Sequence, residues 1–511
     1  MAINFFAAID VGSYELEMKI YEISKRHGIE EIDSVRHIIE LGKDTYAYRK
    51  INFEKIDELC DVLADFKKIM EEYRVDNYRA CATSALREAQ NCQSIVDRIR
   101  MRTGINVEIL SNSEQRFLTY KAVALKENEF NKIIEKPATI VEVGAGSMQM
   151  SIFDKSTLIT TQNVRIGSLR VREIFNRLDY SNANFNNILE EYVDNDMETL
   201  KKMFIKDKEI TNMIATGDYV GYIVKKANKG PGNDYIESEE FMDKYRNLSR
   251  MSNEEISEKL DIPVEYSSLI LPCAMIYKKI IELTGVKKIW LPGVSLCEGI
   301  AAEYAQQQKI VTFSHDFNED IIAAARNIAK RYMCNKSHTY SLENNVIAIF
   351  DSMKKYHGLG RRERLLLEIA AILHDCGKFI SITAPAQSSY DIIMSTEIIG
   401  LSHAERKLIA YIAKYNTVEF GFDDAYDMGI STDAYLTLVK LTAILRVANA
   451  LDRSHKQKFK DIRPYLSGKE LVITTKVMDD ITLEQGLFKD KADFFEEVYG
   501  IRPVLKKKRG L

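Results

Sequence analysis

Two short stretches of the sequence, Asp10–Ser13 and Glu142–Ser147, each combine an acidic residue with glycine and a serine. Glycine turns suit phosphate because backbone N–H groups can converge on an anion where no Cβ stands in the way. Neither stretch has the Gly-Lys-Ser/Thr ending of a Walker A loop, and neither is a GxGxxG turn that leads into a helix. Both stretches could therefore bind a phosphate group through their backbone N–H groups.

The residues around both stretches have the pattern of β-strands. Phe5–Ile9 precedes the first stretch and Thr139–Val141 precedes the second, and alternating apolar residues follow each of them. These alternating residues are Leu16, Met18 and Ile20 in the first copy, and Met148, Met150 and Ile152 in the second. The repeat predicts two similar half-domains that face one cleft, although two unrelated hairpins with glycine turns would show the same pattern.

The rest of the chain divides into two regions of different character. Helical periodicity over Phe53–Tyr73, a short strand at Tyr78–Thr83 and a further helix predict an α/β fold for the first region. Beyond about Ile310, the periodicity is helical with almost no strand signal, which predicts a separate all-α domain. Leu471–Thr475 then alternates like a strand, so we expect a small mixed unit at the C-terminal end.

Composition excludes several functional classes. The 511 residues contain 71 Lys and Arg against 75 Asp and Glu, so bulk positive charge does not hold this protein to DNA or to a membrane. No apolar run reaches the length of a spanning helix, and the N-terminus does not resemble a signal peptide. Seven cysteines without a CxxC spacing predict reduced thiols and a cytoplasmic location, and they give no zinc signature.

Several motifs of this sequence resemble those of one protein family. Ala82–Asn91 is very close to a signature stretch of the exopolyphosphatase/guanosine pentaphosphate phosphohydrolase (Ppx/GppA) family. Ala8–Ser13 resembles its first phosphate loop and Glu142–Gln149 its second, and Leu110–Glu114 resembles the stretch that carries its catalytic glutamate. The resemblance therefore implies that both glycine turns belong to one phosphate-binding site.

The resemblance extends over essentially the whole chain. Leu271-Pro272 and Pro292–Gly299 resemble late motifs of the family, and Leu373–Lys378 and Leu445–Asp452 are similar to its HD-like module. It implies an α/β actin-like (ribonuclease H-like) fold of two lobes, followed by an all-α HD-like domain. The implied boundaries are 1–130 and 131–308 for the two lobes, 309–465 for the helical domain and 466–511 for a small C-terminal α+β unit.

The family also implies a mechanism and a ligand. Inorganic polyphosphate, or guanosine pentaphosphate, would lie between the lobes with its terminal phosphate on the glycine loops. The residues that would cradle this phosphate are Gly12, Ser13, Gly144, Gly146 and Ser147. Arg87 would clamp that phosphate, Asp10 and Glu142 would hold Mg²⁺, and Glu114 would position or deprotonate the attacking water. The leading expectation is a Mg²⁺-dependent exopolyphosphatase that releases terminal orthophosphate, and the alternative substrate is guanosine pentaphosphate. The resemblance further implies a homodimer.

The sequence departs from the family pattern inside the loops. Glu142 stands where the family has Asp, and Gln149 where it has Glu. Tyr14-Glu15 replaces Asn-Ser, and Gly217–Tyr219 replaces Ser-Gly-Thr. These changes predict an active phosphatase with reduced or altered activity, and they keep open a catalytically impaired regulator that binds polyphosphate or guanosine nucleotides.

The HD-like module shows a similar departure. A working HD phosphohydrolase binds metal through a His, a His-Asp pair and a distal Asp. His338, His374 and Asp375 fit the first three, but Asn449 stands where the last Asp belongs. Asn is a neutral and poorer ligand. The pattern favours a structural helical module with a vestigial site and no tightly bound transition metal, while a second active site or a regulatory nucleotide or metal site stays open.

Overall fold

The computed structural model describes residues 4–176, 185–206, 208–224, 234–419, 428–475 and 480–507. The chain forms two compact units, Met1–Asp316 and Phe317–Leu511.

The first unit contains two sheets, and the first of these has the strand order β3-β2-β1-β4-β5 in the described residues. Its strands are β1 (Asn4–Val11), β2 (Glu15–Ser24), β3 (Gly28–Ile38), β4 (Asn77–Ala82) and β5 (Val107–Ile109). Strands β1, β2 and β3 form an antiparallel meander, while β4 runs parallel to β1 and β5 parallel to β4.

The second sheet repeats this arrangement with one added strand, in the order β10-β11-β9-β6-β7-β8 over the described residues. Its strands are β6 (Ala138–Val143), β7 (Met148–Asp154), β8 (Thr157–Val164), β9 (Asn212–Thr216), β10 (Asp234–Glu237) and β11 (Lys288–Leu291). Strands β6, β7 and β8 are again an antiparallel meander, and β9 is again parallel to the first strand. The predicted internal repeat is therefore confirmed.

Helices flank both sheets. Those of the first unit are α1 (Leu41–Tyr48), α2 (Phe53–Glu72), α3 (Ser84–Glu88), α4 (Cys92–Thr103), α5 (Asn112–Ala124), α6 (Glu127–Ile134), α7 (Ser168–Phe175), α8 (Phe185–Leu200, followed by a π-helical turn, Lys201–Ile205), α9 (Asp218–Val224), α10 (Ser238–Leu248), α11 (Asn253–Leu260), α12 (Val264–Thr284) and α13 (Leu296–Gln307). Helix α2 shows why they form. Leu59, Leu63 and Phe66 recur at helical spacing and are buried, and the Asn52 side chain accepts a hydrogen bond from the Lys55 N–H at the N-terminus.

Helix α13 differs from the sequence-based expectation. The implied boundaries place its residues in the second lobe (131–308), but Cys297, Ile300 and Ala301 pack in a buried cluster with Phe6 of β1. Gly299 lets α13 approach α5 closely, because a Cβ at this position would lie 2.2 Å from the Leu118 carbonyl oxygen. The chain thus returns from the second sheet to cover the first.

The second unit is helical with a small sheet. Its helices are α14 (Phe317–Arg331), α15 (Lys336–Ser352), α16 (Lys354–His357), α17 (Arg361–Leu373, followed by a 3₁₀ turn, Cys376–Phe379), α18 (Pro385–Ser395), α19 (His403–Tyr415), α20 (Thr432–Ala450) and α21 (Thr482–Tyr499). Strands β12 (Tyr465–Ser467), β13 (Glu470–Thr475) and β14 (Arg502–Lys507) form the small sheet. In the part of the chain that the structure describes, no helix has the length and apolarity needed to cross a membrane.

Candidate functional site

The two glycine loops of the first unit share an equivalent backbone hydrogen bond. The Gly12 N–H donates to the Glu15 carbonyl at 3.1 Å, and the Gly144 N–H donates to the Ser147 carbonyl at 3.0 Å. A Cβ on Gly12 would lie 2.5 Å from the Glu15 oxygen, so only glycine fits this turn. The equivalent hydrogen bonds place Ser147 at the position of Glu15, not of Ser13.

Both loops line a single cleft. The structure brings together all the loop and strand-end residues that the sequence analysis selected for phosphate and metal binding, namely Asp10, Gly12, Ser13, Glu142, Gly144, Gly146 and Ser147. Side chains that the sequence analysis did not select also line it, among them Glu15, Glu17, Ser84, Gln115, Thr119, Tyr219 and Ser295. The cleft therefore combines backbone amides with several carboxylates.

The strand-end acids occupy equivalent positions in the repeat. Asp10 on β1 pairs across the sheet with Glu17 on β2, and Glu142 on β6 pairs with Gln149 on β7. Glu17 forms an ion pair with Arg36, whose Nη2 lies 2.6 Å from Glu17 Oε1. The second copy thus has a neutral amide where the first has a carboxylate held by a cation.

Glu15, the unexpected acid of the first loop, is held at two points. The Tyr266 hydroxyl donates to Glu15 Oε2 at 2.5 Å, and Arg36 Nη1 lies 3.6 Å from Glu15 Oε1. Burial, together with the negative charge of Glu15, raises the pKa of Tyr266 well above its usual range, so Tyr266 keeps its proton. The Glu15 side chain is therefore held in place in the lining of the cleft.

Tyr46 of α1 joins the two loops. Its hydroxyl donates to Ser13 Oγ at 2.8 Å and lies 2.8 Å from Ser84 Oγ. A Cβ on Gly146 of the second loop would lie 2.1 Å from this hydroxyl. Arg170 stacks over the Tyr46 ring, with its guanidinium carbon 3.9 Å from the ring centre, and donates to the Gly146 carbonyl at 2.7 Å. This contact could not be predicted from the sequence, because Tyr46 lies far from both loops along the chain.

Arg87 does not lie among the described residues that line the cleft. Its guanidinium donates to the Leu110 carbonyl and to the Asn112 side-chain oxygen, both at 2.6 Å. These bonds fix the start of α5 against α3. In this structure Arg87 therefore positions the helix that carries Gln115, and the clamp on the phosphate that the resemblance implied stays a prediction.

Glu114 also lies outside the described lining of the cleft. Its carboxylate accepts the Ser111 N–H at 2.9 Å, and Ser111 Oγ accepts the Glu114 N–H at 3.2 Å. This is a capping box at the N-terminus of α5, and the Ser-x-x-Glu spacing in the sequence could have indicated it. Gln115, the next residue, faces the cleft instead, with Thr119 one turn further along the same face.

The cleft offers oxygen atoms of the kind that Mg²⁺ prefers. Asp10 and Glu142 contribute carboxylates from equivalent strand ends. Gln115 donates through Nε2 to Glu142 Oε1 at 3.3 Å, and its amide oxygen is buried with no hydrogen-bond partner among the described residues. The reverse amide orientation would set that oxygen against the Glu142 carboxylate, so the chemistry supports this assignment. This donor set fits Mg²⁺.

A second group of titratable side chains lies in the helical unit. His338 and His374 approach each other with their Nε2 atoms 3.2 Å apart, and Asp375 Oδ1 lies 3.4 Å from His374 Nε2. Burial lowers the pKa of His374 to about 4. The ring of His455 stacks on that of His338 at 3.8 Å. The structure thus brings together three of the four predicted residues.

Asn449, the fourth predicted residue, lies on α20, and among the His, Cys, Asp and Glu side chains of the described residues one group could hold a metal ion. His338, Asp375 and His455 form that group, and their ligand atoms lie within 4.8 Å of one another. His455 was missed because it follows the end of α20 in a turn with a left-handed backbone (φ 54°), where no periodicity predicts its direction.

The fold has solved relatives. An exopolyphosphatase from Cytophaga hutchinsonii superposes with a TM-score of 0.53 at 19% identity, over 61% of this chain and 100% of that one. A Ppx/GppA family member from Aquifex aeolicus gives a TM-score of 0.51 at 19% identity, over 60% of this chain and 99% of that one. The first unit therefore has the two-lobed, actin-like α/β fold that the resemblance implied.

Comparison of the amino-acid sequence finds relatives of the same kind as the solved structures. A guanosine-5′-triphosphate,3′-diphosphate pyrophosphatase from Photobacterium profundum is 21% identical over 416 residues, which are 80% of each chain. An exopolyphosphatase 1 from Mycobacterium tuberculosis is 25% identical over 144 residues, which are 28% of this chain and 40% of that protein. The Ppx/GppA phosphatase family profile matches residues 19–308, and the profile of Ppx/GppA phosphatase domain III matches residues 322–490. The chain therefore belongs to the Ppx/GppA phosphatase family.

Proposed function

We propose that this protein hydrolyses the terminal phosphoanhydride bond of inorganic polyphosphate and releases orthophosphate. The observation that carries the proposal is the single cleft lined by both glycine loops and by the strand-end acids Asp10 and Glu142. The loops would bind the terminal phosphate through backbone N–H groups. Asp10 and Glu142 would hold Mg²⁺, which when bound neutralises charge on the phosphate oxygens.

Gln115 is the residue that we propose to orient the attacking water. Phosphoryl transfer depends mainly on placement and charge neutralisation, and a glutamine can orient a water without accepting its proton. The buried amide oxygen of Gln115 is an acceptor for that water, while its Nε2 is held by Glu142. Glu114 then acts indirectly, because its capping box fixes the first turn of the helix that carries Gln115.

Guanosine pentaphosphate is the alternative substrate, and the extent of similarity favours it. The pyrophosphatase relative matches 80% of the chain, whereas the exopolyphosphatase 1 relative matches 28%. Both substrates end in a phosphoanhydride, so the same loops and acids would act on either of them.

An impaired regulator that binds these polyanions is the second candidate function. The neutral amides at Gln115 and Gln149 favour it, because a carboxylate at either place would be a stronger acceptor for water or metal. Gln149 is 2% exposed, and neither of its amide atoms has a hydrogen-bond partner among the described residues.

The test is phosphate release from long-chain polyphosphate and from guanosine pentaphosphate, with Mg²⁺ and with a chelator. We expect Mg²⁺-dependent release that Asp10→Asn lowers by at least about 10²-fold, the loss expected when a metal ligand that neutralises developing charge is removed. Asp65→Asn, on the exposed face of α2, is the matched control and should leave turnover unchanged. Binding of both polyanions without release from either would establish the regulator instead.

A further inference from the structure

The hydroxyl of Thr119 on α5 is buried in the wall of the cleft. Thr119 is 4% exposed and lines the cleft, and its Oγ1 has no hydrogen-bond partner among the described residues. A hydroxyl buried without a partner loses the hydrogen bonds that it makes in water, so folded proteins rarely leave one unmet. The partner of the Thr119 hydroxyl must therefore come from the cleft.

Other helical threonines of the chain show what this hydroxyl could do instead. Thr103, Thr284 and Thr437 each donate to the main-chain carbonyl four residues earlier, at 2.7, 2.6 and 2.9 Å. This is the usual bond of a threonine inside a helix. The equivalent partner of Thr119 is the Gln115 carbonyl, and Thr119 makes no such bond. Its hydroxyl is therefore available to a group outside the helix.

Gln115 lies one turn earlier on the same face of α5. Its amide oxygen is also buried without a partner among the described residues, while its Nε2 donates to Glu142 Oε1 at 3.3 Å. Residues four apart on a helix have Cβ atoms about 5–6 Å from each other. That distance is close to the span of two hydrogen bonds of about 2.8 Å to one water molecule. The oxygens of Gln115 and Thr119 can therefore share a single water.

A water shared by these two oxygens has its nucleophilic side directed away from the helix. Gln115 Oε1 can only accept, so the water donates one proton to it, and the Thr119 hydroxyl oxygen can accept the other proton. With both protons held by α5, the lone pairs of the water face the cleft, which both glycine loops line. A nucleophile oriented in this way has part of its entropic cost of reaction removed in advance.

We propose that Thr119 is a second positioning residue, which holds the attacking water together with Gln115. This inference rests on the function proposed for the cleft, because the water attacks the terminal phosphate bound there. The water oxygen forms a bond to the terminal phosphorus, and the bond from phosphorus to the bridging oxygen breaks, with its electron pair leaving on that oxygen. The attacking oxygen keeps one proton, and the other passes to the departing phosphate oxygen.

The experiment compares kcat and KM for polyphosphate, with Mg²⁺, in Thr119→Val and Thr119→Ser. Valine has the shape of threonine without the hydroxyl, so we expect kcat to fall about tenfold, equivalent to about 1.4 kcal/mol, with KM within about twofold of the parent. Serine keeps the hydroxyl and should hold kcat within about threefold of the parent. Thr199→Val is the matched control, because it removes an exposed hydroxyl that bonds the Asn195 carbonyl in α8, and it should change neither constant.

Two further measurements distinguish water positioning from a structural role. Because the Thr119 hydroxyl has no partner among the described residues, Thr119→Val should keep or raise the melting temperature while it lowers kcat. The double variant Gln115→Met with Thr119→Val should be no slower than Gln115→Met alone, since one water serves both side chains.

The possible failures of the two proposals differ. Equal kcat in Thr119→Val and the parent would overturn the role of Thr119 and leave the function proposed for the cleft intact. So would a melting temperature that falls together with kcat, or losses in the double variant that multiply those of the single variants. A parent protein that releases no phosphate would overturn both proposals.

Discussion

Gln115 donates its side-chain amide to Glu142, with Nε2 and Oε1 3.3 Å apart. This contact joins α5 to the end of β6, and it places a neutral group directly beside the strand-end acid of the second loop. Glu114, one residue earlier, is turned away to cap its own helix. Gln115 is therefore the residue of this helix turn whose side chain contacts a strand-end acid of the cleft.

The first prediction is that Gln115→Glu raises turnover. A carboxylate at this position could accept a proton from the attacking water, and a positioned general base contributes about 10²–10⁴-fold in rate. Since some misplacement is expected, we predict a gain of at least about tenfold in kcat with Mg²⁺, equivalent to about 1.4 kcal/mol of barrier. Phosphate release under saturating polyphosphate measures it.

Two further variants make this result specific. Gln115→Met keeps the size but removes both polar atoms, so it should lower kcat. Gln93→Glu makes the same change of charge on an exposed position of α4 and should have no effect. If Gln115→Glu and Gln115→Met both match the parent, water is not positioned by this residue.

Glu114→Ala is predicted to affect stability more than chemistry. It removes one half of the capping box, and loss of a helix cap costs about 1 kcal/mol. We expect a lower melting temperature with kcat within about threefold of the parent, the residual effect expected of a group that acts only through its helix. Ser111→Ala removes the other half and should behave alike. A loss of about 10²-fold or more in kcat at unchanged stability would instead show that Glu114 acts as the general base.

Much of this site could be predicted because its signals are local. A glycine turn between two strands is visible in the sequence, and the repeat of Asp10–Ser13 at Glu142–Ser147 predicted both the duplication and the shared cleft. Which of Glu114 and Gln115 faces the cleft could not be predicted from the resemblance. That choice is set by the rotation of α5, which Arg87 and the Ser111 capping box fix through contacts distant from the loops.

Two other features depend on contacts between residues far apart in the sequence. Helix α13 follows the second sheet but packs on the first, because its apolar face complements Phe6 and the backbone of Leu118. His455 joins His338 because the chain turns back after α20. Sequence periodicity describes one element at a time, so neither relationship was visible before the fold was known.

The stability of the helical unit should depend on pH through Glu368. Burial raises its pKa to about 7, and the nearby Glu343 adds to this, while Arg364 and Arg326 oppose it. The folded protein therefore binds a proton that the unfolded chain has lost, so stability falls as pH rises from about 4.5 to about 7. We expect Glu368→Gln to be more stable than the parent at pH 8 by about 2 kcal/mol and nearly equal to it at pH 4.5. Urea denaturation at both pH values measures this, and an equal difference at both would exclude the titration.

Tyr46→Phe is predicted to weaken substrate binding while leaving the fold intact. The hydroxyl bonds Ser13 of the first loop and lies against Gly146 of the second, so it sets the distance between the loops. Ser13 and Ser84 are 2.8 Å apart and can still bond each other after the change, so the stability cost should stay near the usual 1 kcal/mol or so for one hydrogen bond. Looser loops hold the terminal phosphate less firmly, and we expect KM for polyphosphate to rise about five- to tenfold, a loss of about 1 kcal/mol, with a smaller change in kcat.

Tyr48→Phe, an exposed tyrosine of the same helix, is the matched control. An unchanged KM in Tyr46→Phe would mean that the loops keep their spacing without this hydroxyl, whereas a fall in kcat alone would place Tyr46 in the chemical step.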